Sequence, residues 1–459
     1  MDPTLAGSIG ARLDRLPATR SIWTLVGLIS LGGFFEFYDL FFTGYVAPGL
    51  LREHILTPTT PGLFGTSGIA GFIAALFSGL FVGTMVFGFV ADLFGRRTVF
   101  TISLLWYSAA SVVMALQTDA TGLYIWRFIA GIGIGVELVT IDTYISELVP
   151  KGLRGRAFAF NQTIQFAVVP VVAFLAYRLV PLDPLGFAGW RWVVMIGSAG
   201  ALVVWVIRRG VPESPRWLAA HGKLQAADVV MTSLEARVRE EYGAPLPPVG
   251  EPEQVVARGR FLEMFGPAYR GRTLMLVVFQ IFQTVGFYGF ANWVPTLLIK
   301  QGITVTSSLL YTFVIAIAAP FGPALASLVA DRVERKWMIV AAAGSVAVFG
   351  LLFSQVGEPV LLIVCGVMLT LSSNIMSFSF HAYQAELYPT RIRAVAVGFV
   401  YSFSRLSAVF SAFAIAFFLR DFGTIGVFTF IAGSMAMVMV SIGGFGPLVR
   451  NRPLEAISQ

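Results

Sequence analysis

Two stretches of this chain match at one constant offset. Gly83, Ala91, Asp92, Arg96 and Arg97 correspond to Gly322, Ala330, Asp331, Arg335 and Lys336. Tyr144, Glu147, Leu148, Pro150 and Arg154 correspond to Tyr383, Glu386, Leu387, Pro389 and Arg393. Each pair is 239 positions apart, as 83 is from 322. Chance rarely keeps register across two motifs about fifty residues apart. The chain therefore reads as one module duplicated in parallel, and its fold must hold two copies related by a pseudo-twofold axis.

The module is built for a membrane. Apolar residues make up 56% of the chain and charged residues 12%, about half the charge of an ordinary soluble protein. The apolar residues fall into twelve runs long enough to cross a bilayer as helices. In the first half they cover 22–50, 64–90, 98–117, 121–146, 157–181 and 190–208. In the second half they cover 273–299, 306–329, 337–354, 359–385, 393–419 and 423–446. The expected fold class is an all-α membrane protein of twelve transmembrane helices in two pseudo-symmetric six-helix bundles. The bundles are expected at 1–208 and 272–459, joined by a polar loop at 209–271. Within that loop, 216–241 reads as an amphipathic helix, and the proline-rich 243–252 as an extended linker.

Basic residues orient the bundle. Arg12, Arg15, Arg20, Arg96, Arg97, Lys151, Arg154 and Arg156 fall on one side, with those of 208–272 and Arg332, Arg335, Lys336, Arg391, Arg393, Arg450 and Arg452. The opposite loops carry only Arg52, Arg178, Arg191, Lys300 and Arg420. Short loops rich in Lys and Arg stay cytoplasmic, so both termini are expected inside a cytoplasmic (inner) membrane. The net charge of +7 is mostly this topology signal. Because it is scattered through membrane-flanking loops, it does not point to nucleic acid. Cys365 is the only cysteine and lies in an apolar run, which excludes a disulfide framework and disfavours a metal site. The first run contains Glu36 and Asp39 and lacks a small-residue cleavage site, so it reads as a retained helix rather than a signal peptide.

A charged side chain at mid-bilayer costs roughly 2.5–3.5 kcal/mol even on mild scales. This chain places Glu36, Asp39, Arg127, Glu137, Asp142 and Arg405 at such depths, with His381 nearby. Their presence points to a water-accessible functional cavity. Glu36, Asp39 and Thr43, spaced i, i+3, i+7, share a helix face. Two carboxylates on one face repel, which suits one of them to carry a proton, and Arg127 is the expected counter-charge. A static buried ion pair is the alternative. Arg405 is the expected substrate contact, with Tyr401 one turn before it, because a guanidinium in a dry cavity holds a carboxylate bidentately. A permanent pair with Glu137 or Asp142 is the alternative. The offset maps Asp142 onto His381, so the two face each other across the pseudo-twofold axis. His381 also continues a polar stripe, Asn374, Ser377, His381 and Gln384. Gln162, Gln165, Gln280, Gln283, Tyr288 and Asn292 complete the candidate substrate-binding set, with Asn161 beside them. The aromatic residues read as lipid-facing bulk.

Several motifs carry a family resemblance. Gly83-Thr-Met-Val-Phe-Gly-Phe-Val-Ala-Asp92-Leu-Phe-Gly95-Arg96-Arg97, with its partial copy ending at Asp331-Arg-Val-Glu-Arg335-Lys336, resembles the loop signature of the major facilitator superfamily. Arg127-Phe-Ile-Ala-Gly131-Ile-Gly133-Ile-Gly135 is similar to that superfamily's fourth-helix motif, and Glu147-Leu-Val-Pro150-Lys-Gly-Leu-Arg154-Gly-Arg156 and Pro212-Glu213-Ser214-Pro215-Arg216 resemble its sugar-porter and organic-ion branches. Sugar porters carry Trp where this chain has His381, and Asn where it has Tyr288. Ala385-Glu386-Leu-Tyr-Pro389-Thr390-Arg-Ile-Arg393, followed by Ser404-Arg405, looks instead like the organic-ion, niacin and aromatic-acid carriers. Glu36-Phe-Tyr-Asp39 is similar to the acidic pair of aromatic-acid symporters, with Glu for the first Asp.

The resemblance implies that Asp39 and Arg127 couple a proton. It also implies a reversible cytoplasmic gate of Asp92, Arg96, Arg97, Glu147, Arg156, Glu213, Arg216, Asp331, Arg335, Glu386 and Arg393, with Asp92 reaching toward the opposite bundle. The expected function is proton-coupled symport of a small organic acid or related metabolite by alternating access. A monomer is expected, embedded in lipid, with no cofactor beyond the proton gradient. A sugar or polyol porter, an organic-cation carrier using Glu137 and Asp142, and a transporter-like receptor are the alternatives. An enzyme is disfavoured, since no phosphate loop, nucleophile triad or metal cluster is present.

Overall fold

Inside hydrocarbon, backbone polar groups have no partner but each other, so apolar runs of this length must become helices. In a computed structural model they do. It describes residues 3–57, 60, 68–87, 90–207, 210–250, 260–329 and 332–449. We number the crossings span 1 to span 12. Spans 1 to 6 are Arg20–Tyr45, Gly68–Phe87, Arg96–Ala115, Ala120–Leu148, Arg154–Leu179 and Gly189–Ile207. Span 7 is Arg270–Ala291, continued by Val294–Lys300. Span 8 is Val305–Ala316 with Phe321–Val329. Spans 9 and 10 are Arg335–Gln355 and Pro359–Glu386. Spans 11 and 12 run together as Thr390–Phe445, whose 56 residues are far too many for one crossing. Gly423, at φ 67°, reverses the chain between them.

Two spans break where the sequence pattern is continuous. Span 7 is interrupted at Asn292 and Trp293, and Pro295 sits in the first turn of its continuation. Span 8 is interrupted at 317–320, beside Pro320 and Pro323. Proline removes a helical hydrogen bond, and the Asn374 amide donates to the carbonyl of Ala319 at 2.9 Å to replace one.

Within the halves, span 4 packs on spans 2 and 3, span 1 on span 5, and spans 9 and 10 on each other; between them, span 2 meets the 11–12 pair and span 5 meets span 8. The 239-residue offset survives in the side chains. Arg96 pairs with Glu147 at 2.8 Å, and Arg335 pairs with Glu386. Arg154 Nε donates to the carbonyl of Val149 at 3.3 Å, and Arg393 Nε to that of Tyr388 at 3.2 Å. Gly83 and Gly322 bring spans 2 and 8 against the matching turns of spans 4 and 10: an added methyl would lie 3.1 Å from Gly135 Cα and 3.3 Å from the oxygen of Leu371.

Twelve crossings return the chain to the face it started from, here termed the termini face. A short helix, Pro3–Asp14, lies there against the inter-half loop. That loop forms Pro215–Ala220 and Leu224–Tyr242, separated at Gly222, which has φ 75°. The amphipathic segment is thus two helices rather than one. Ile9, Leu13, Trp217, Met231 and Leu234 form a small apolar core under it. Arg12 bonds Asp228 at 2.6 Å and Glu235 at 2.8 Å, and Arg15 bonds Glu235 at 2.7 Å.

Partial burial pushes the Glu235 carboxyl up, but hydrogen bonds and charge from Arg12 and Arg15 outweigh it and hold the group below the usual carboxylate range. A depressed carboxylate contributes stability above its unfolded value and loses it as pH falls through the folded one. Acidification below about pH 4 is therefore expected to release the Pro3–Asp14 helix, seen as faster amide exchange there than at neutral pH. Glu235→Gln should show that faster exchange at neutral pH.

Candidate functional site

Span 1 carries two carboxylates on one face, and their surroundings differ. Asp39 is fully engaged. Its Oδ1 accepts from Arg127 Nη1 at 2.5 Å and its Oδ2 from Ser111 at 2.7 Å. Arg127 Nη2 also donates to the Asp39 carbonyl at 2.6 Å and to Thr43, and its guanidinium lies 4.3 Å from the Phe42 ring centroid. The set ties span 1 to spans 3 and 4. Ser111 was not among the sequence candidates, since one serine in a run of small residues carries no signal.

Glu36 is 0% exposed, and neither carboxylate oxygen is hydrogen-bonded. The charged groups that act on it electrostatically are Asp142 and Arg405. Arg405, on span 11, is 2% exposed. Its Nη1 donates to the Tyr288 hydroxyl at 2.8 Å and its Nη2 to that of Tyr401 at 3.0 Å, while Nε has no partner. No carboxylate forms an ion pair with Arg405 among the described residues, so the permanent pair with Glu137 or Asp142 does not form here.

Asp142 is exposed although it lies on span 4 near Glu36 and Tyr401. A residue between spans 1 and 11 can be exposed only to a central cleft. At the other end the halves touch. Gly44 packs on the backbone of Asn292, and the Phe77 and Tyr288 rings are 4.6 Å apart. The cleft therefore opens toward the termini face. His381, the symmetry mate of Asp142, is half-buried on span 10, with Nδ1 2.7 Å from the carbonyl of Ser377. That bond leaves Nε2 as the acceptor. Glu137 is buried beside Tyr107 of span 3, on the N-terminal half's own interior.

Several expected ligand contacts are committed elsewhere. The Gln283 amide donates to Gln280 at 3.0 Å and to Thr284 at 3.1 Å, and Gln280 donates to Gln384 at 3.4 Å. Asn374 holds the break in span 8 and also lines a small cavity between the halves, and His381 is the half-buried member of the polar stripe. Gln165 is buried against Gly33 of span 1, and Gln162 is half-buried with a bare carbonyl oxygen. Asn161 and Asn292 are buried, with an unbonded carbonyl oxygen in the first and an unbonded amide in the second.

The aromatic residues are not only lipid-facing bulk. Phe42, Phe72, Phe77 and Phe279 are 0% exposed. Phe41, Phe166 and Phe287 line a cavity of about 40 Å³ between the halves, beyond the charged groups, and Phe287 packs on Tyr288 at 4.9 Å. This apolar wall continues directly into the Arg405 site.

The gate residues group differently from expectation. Arg96 with Glu147, and Arg335 with Glu386, join helices of the same half rather than the two halves. Glu213 accepts the backbone N–H groups of Arg96 at 3.0 Å and Arg97 at 3.1 Å, capping span 3, where a carboxylate complements the helix dipole. Gly95 must turn there at φ 94°, which a side chain would strain. Arg216 pairs with Asp14 at 2.8 Å. Arg97 and Arg156 are exposed, and Arg393 is half-buried. Asp331 and the Asp92 side chain lie outside the described residues.

A buried ionic cleft between two duplicated six-helix halves is the frame of a carrier, and the family model for "sugar (and other) transporter" matches residues 25–459. The chain belongs to that family. The transporter is 33% identical over 439 residues to YyaJ of Bacillus subtilis, covering 95% of this chain and 94% of that one. It is 28% identical to the niacin transporter NiaP of Acinetobacter baylyi, covering 87% and 88%. Its fold matches the xylose transporter XylE of Escherichia coli, a proton:xylose symporter, with a TM-score of 0.74 at 20% identity over 94% and 99% of the two chains. The transporter is thus a multi-pass membrane protein of the major facilitator fold that moves metabolites, and not an enzyme.

Proposed function

We propose that the transporter carries a small organic acid by proton-coupled symport. The observation that supports this is Arg405: a buried guanidinium held by two neutral hydroxyls, with a free Nε. A buried cation without an ion-pair partner costs several kcal/mol, and a substrate carboxylate supplies that partner bidentately. Phe41, Phe166 and Phe287 would take the apolar body of the acid, with His381 at the mouth. The mutual bonding of Gln280, Gln283 and Gln384 leaves fewer amides for sugar hydroxyls, which favours the acid over a polyol. Niacin, carried by a relative, is such an acid.

Coupling belongs to the acidic pair of span 1, Glu36 and Asp39, with Arg127. Movement is rocking of halves 1–208 and 272–459 about the cleft, with the intra-half pairs Arg96–Glu147 and Arg335–Glu386 keeping each half rigid. The basic termini face lies in the cytoplasm of a cell with an inner membrane, and the monomer uses the proton gradient alone.

In proteoliposomes, labelled nicotinate or benzoate is expected to accumulate when the outside is acid and to stop when a protonophore is added. Accumulation that ignores the pH gradient would contradict proton coupling. Accumulation of arabinose or xylose instead would contradict the acid assignment.

A further inference from the structure

We propose that residues 260–270, the last of the inter-half loop before span 7, are an interfacial anchor for an anionic phospholipid. Phe261, Leu262 and Phe265 enter the border of the acyl layer, and Arg260 and Arg270 hold the headgroup phosphate. The assignment is independent of what the transporter carries.

The segment has an inner and an outer side. Phe261–Phe265 forms a short tight helix, and its inner side is fastened to the C-terminal half. Met264 and Tyr269 are buried. The Met264 carbonyl accepts from the Thr273 hydroxyl at 2.9 Å, and that hydroxyl also meets the Tyr388 hydroxyl at 2.8 Å. The Phe261 and Phe265 rings pack edgewise on Phe399 of span 11 at 5.6 and 5.4 Å. The outer side is apolar and bare: Leu262 is 74% exposed, Phe261 48% and Phe265 44%. The N-terminal half offers the contrast. The Pro3–Asp14 helix precedes span 1 as this segment precedes span 7, yet its Ile9 and Leu13 are buried under the loop helices. Among the described residues, nothing of the protein lies over Leu262 in the same way.

Depth identifies what takes that place. Phe399 lies nine residues into span 11, about 13 Å along it. From Thr390 to Gly423 that span is about 50 Å long. The hydrocarbon layer is about 30 Å thick, so roughly 10 Å of the span stands among headgroups at each end. The rings on Phe399 therefore sit at the border of headgroups and acyl chains, where aromatic rings and amphipathic segments settle. Val395, one turn before Phe399 on the same helix face, is also exposed and continues the apolar surface.

Charge selects the headgroup. Arg260 and Arg270 close the segment at its two ends, and both are exposed. Arg272 is committed to the Leu387 carbonyl at 3.3 Å and to the Tyr269 ring. Glu263, the only acid of the segment, is half-buried and has a partner within the protein. Two exposed cations flanking an apolar face at this depth match a negatively charged lipid.

The test places a bimane fluorophore at position 262 through Leu262→Cys in the purified full chain, reconstituted in vesicles. Cys365 is buried and stays unlabelled. Val229→Cys, at an exposed position of the Leu224–Tyr242 helix, is the aqueous control. Nitroxide-bearing phospholipids and aqueous iodide are the two quenchers. The label at 262 is expected to be quenched by the lipids and shielded from iodide, with the reverse at 229. Nitroxide phosphatidylglycerol should reach half-quenching at a lower mole fraction than nitroxide phosphatidylcholine, by about fivefold for each arginine engaged. Arg260→Gln combined with Arg270→Gln should abolish that preference and leave quenching by lipid in place. Iodide quenching at 262 equal to that at 229 overturns the anchor. Shielding from both quenchers means that protein covers the face, a second copy or the loop itself, and overturns it too. Equal half-quenching by the two lipids, or a preference that survives the double substitution, overturns the anionic headgroup.

Discussion

Arg127→Ala is expected to destabilise the transporter by about 3–5 kcal/mol, the cost of leaving a buried carboxylate without its partner. Arg127 is 0% exposed and Asp39 is 4% exposed. The substitution removes the bonds to Asp39 Oδ1, the Asp39 carbonyl and Thr43, together with the stacking on Phe42. Ser111 alone would remain on Asp39. Thermal unfolding in detergent should show a large drop in midpoint. Adding Asp39→Asn to Arg127→Ala should recover part of it, because a neutral amide needs no counter-charge. An unchanged midpoint in the single variant would show that this pair is not a tie between spans 1 and 4.

Arg405→Ala is expected to weaken acid binding by about 3–4 kcal/mol, or roughly two to three orders of magnitude, which takes transport below detection. Stability should fall little, or rise, since the guanidinium has no ion-pair partner to orphan and is itself costly to bury. Arg405→Lys should not rescue binding, because an ammonium cannot present the planar fork that two hydroxyls now orient. This separation of binding from stability distinguishes an anchor from a packing residue. Equal losses in both would place Arg405 in the fold instead. Uptake of nicotinate and a melting curve on the same preparations make the comparison.

The duplication was legible because it is a matter of register. The offset matches Arg96 to Arg335 and Glu147 to Glu386, and the structure forms the same ion pair in each half, Arg96–Glu147 and Arg335–Glu386. The spans were legible because a bilayer permits little else. The breaks in spans 7 and 8 were not. A proline in a long apolar run reads equally as a tolerated kink or as the start of a new helix, and the contact that settles span 8 comes from Asn374, 55 residues away from Ala319.

The charged site was half legible. Depth marked Glu36, Asp39, Arg127 and Arg405 as costly and hence purposeful. Depth does not say which acid is bonded, and helix periodicity puts Glu36 and Asp39 on the same face. Packing from spans 3 and 4, through Ser111 and Arg127, separates them. The mutual bond of Gln280 and Gln283 was illegible for a related reason: residues three apart on a helix can satisfy each other, and composition cannot show it. The aromatic lining was missed because a phenylalanine facing a cleft and one facing lipid look alike in sequence.

The most direct test of the central claim is a binding screen by thermal shift on the purified wild-type chain, against aromatic and aliphatic acids, amines, and sugars. A ligand that binds only the folded state raises the midpoint in proportion to its affinity. Stabilisation is expected from a small acid with an apolar body, with none from amines or sugars, and with loss of the effect in Arg405→Ala. Stabilisation by a sugar or an amine that survives Arg405→Ala would contradict the central claim.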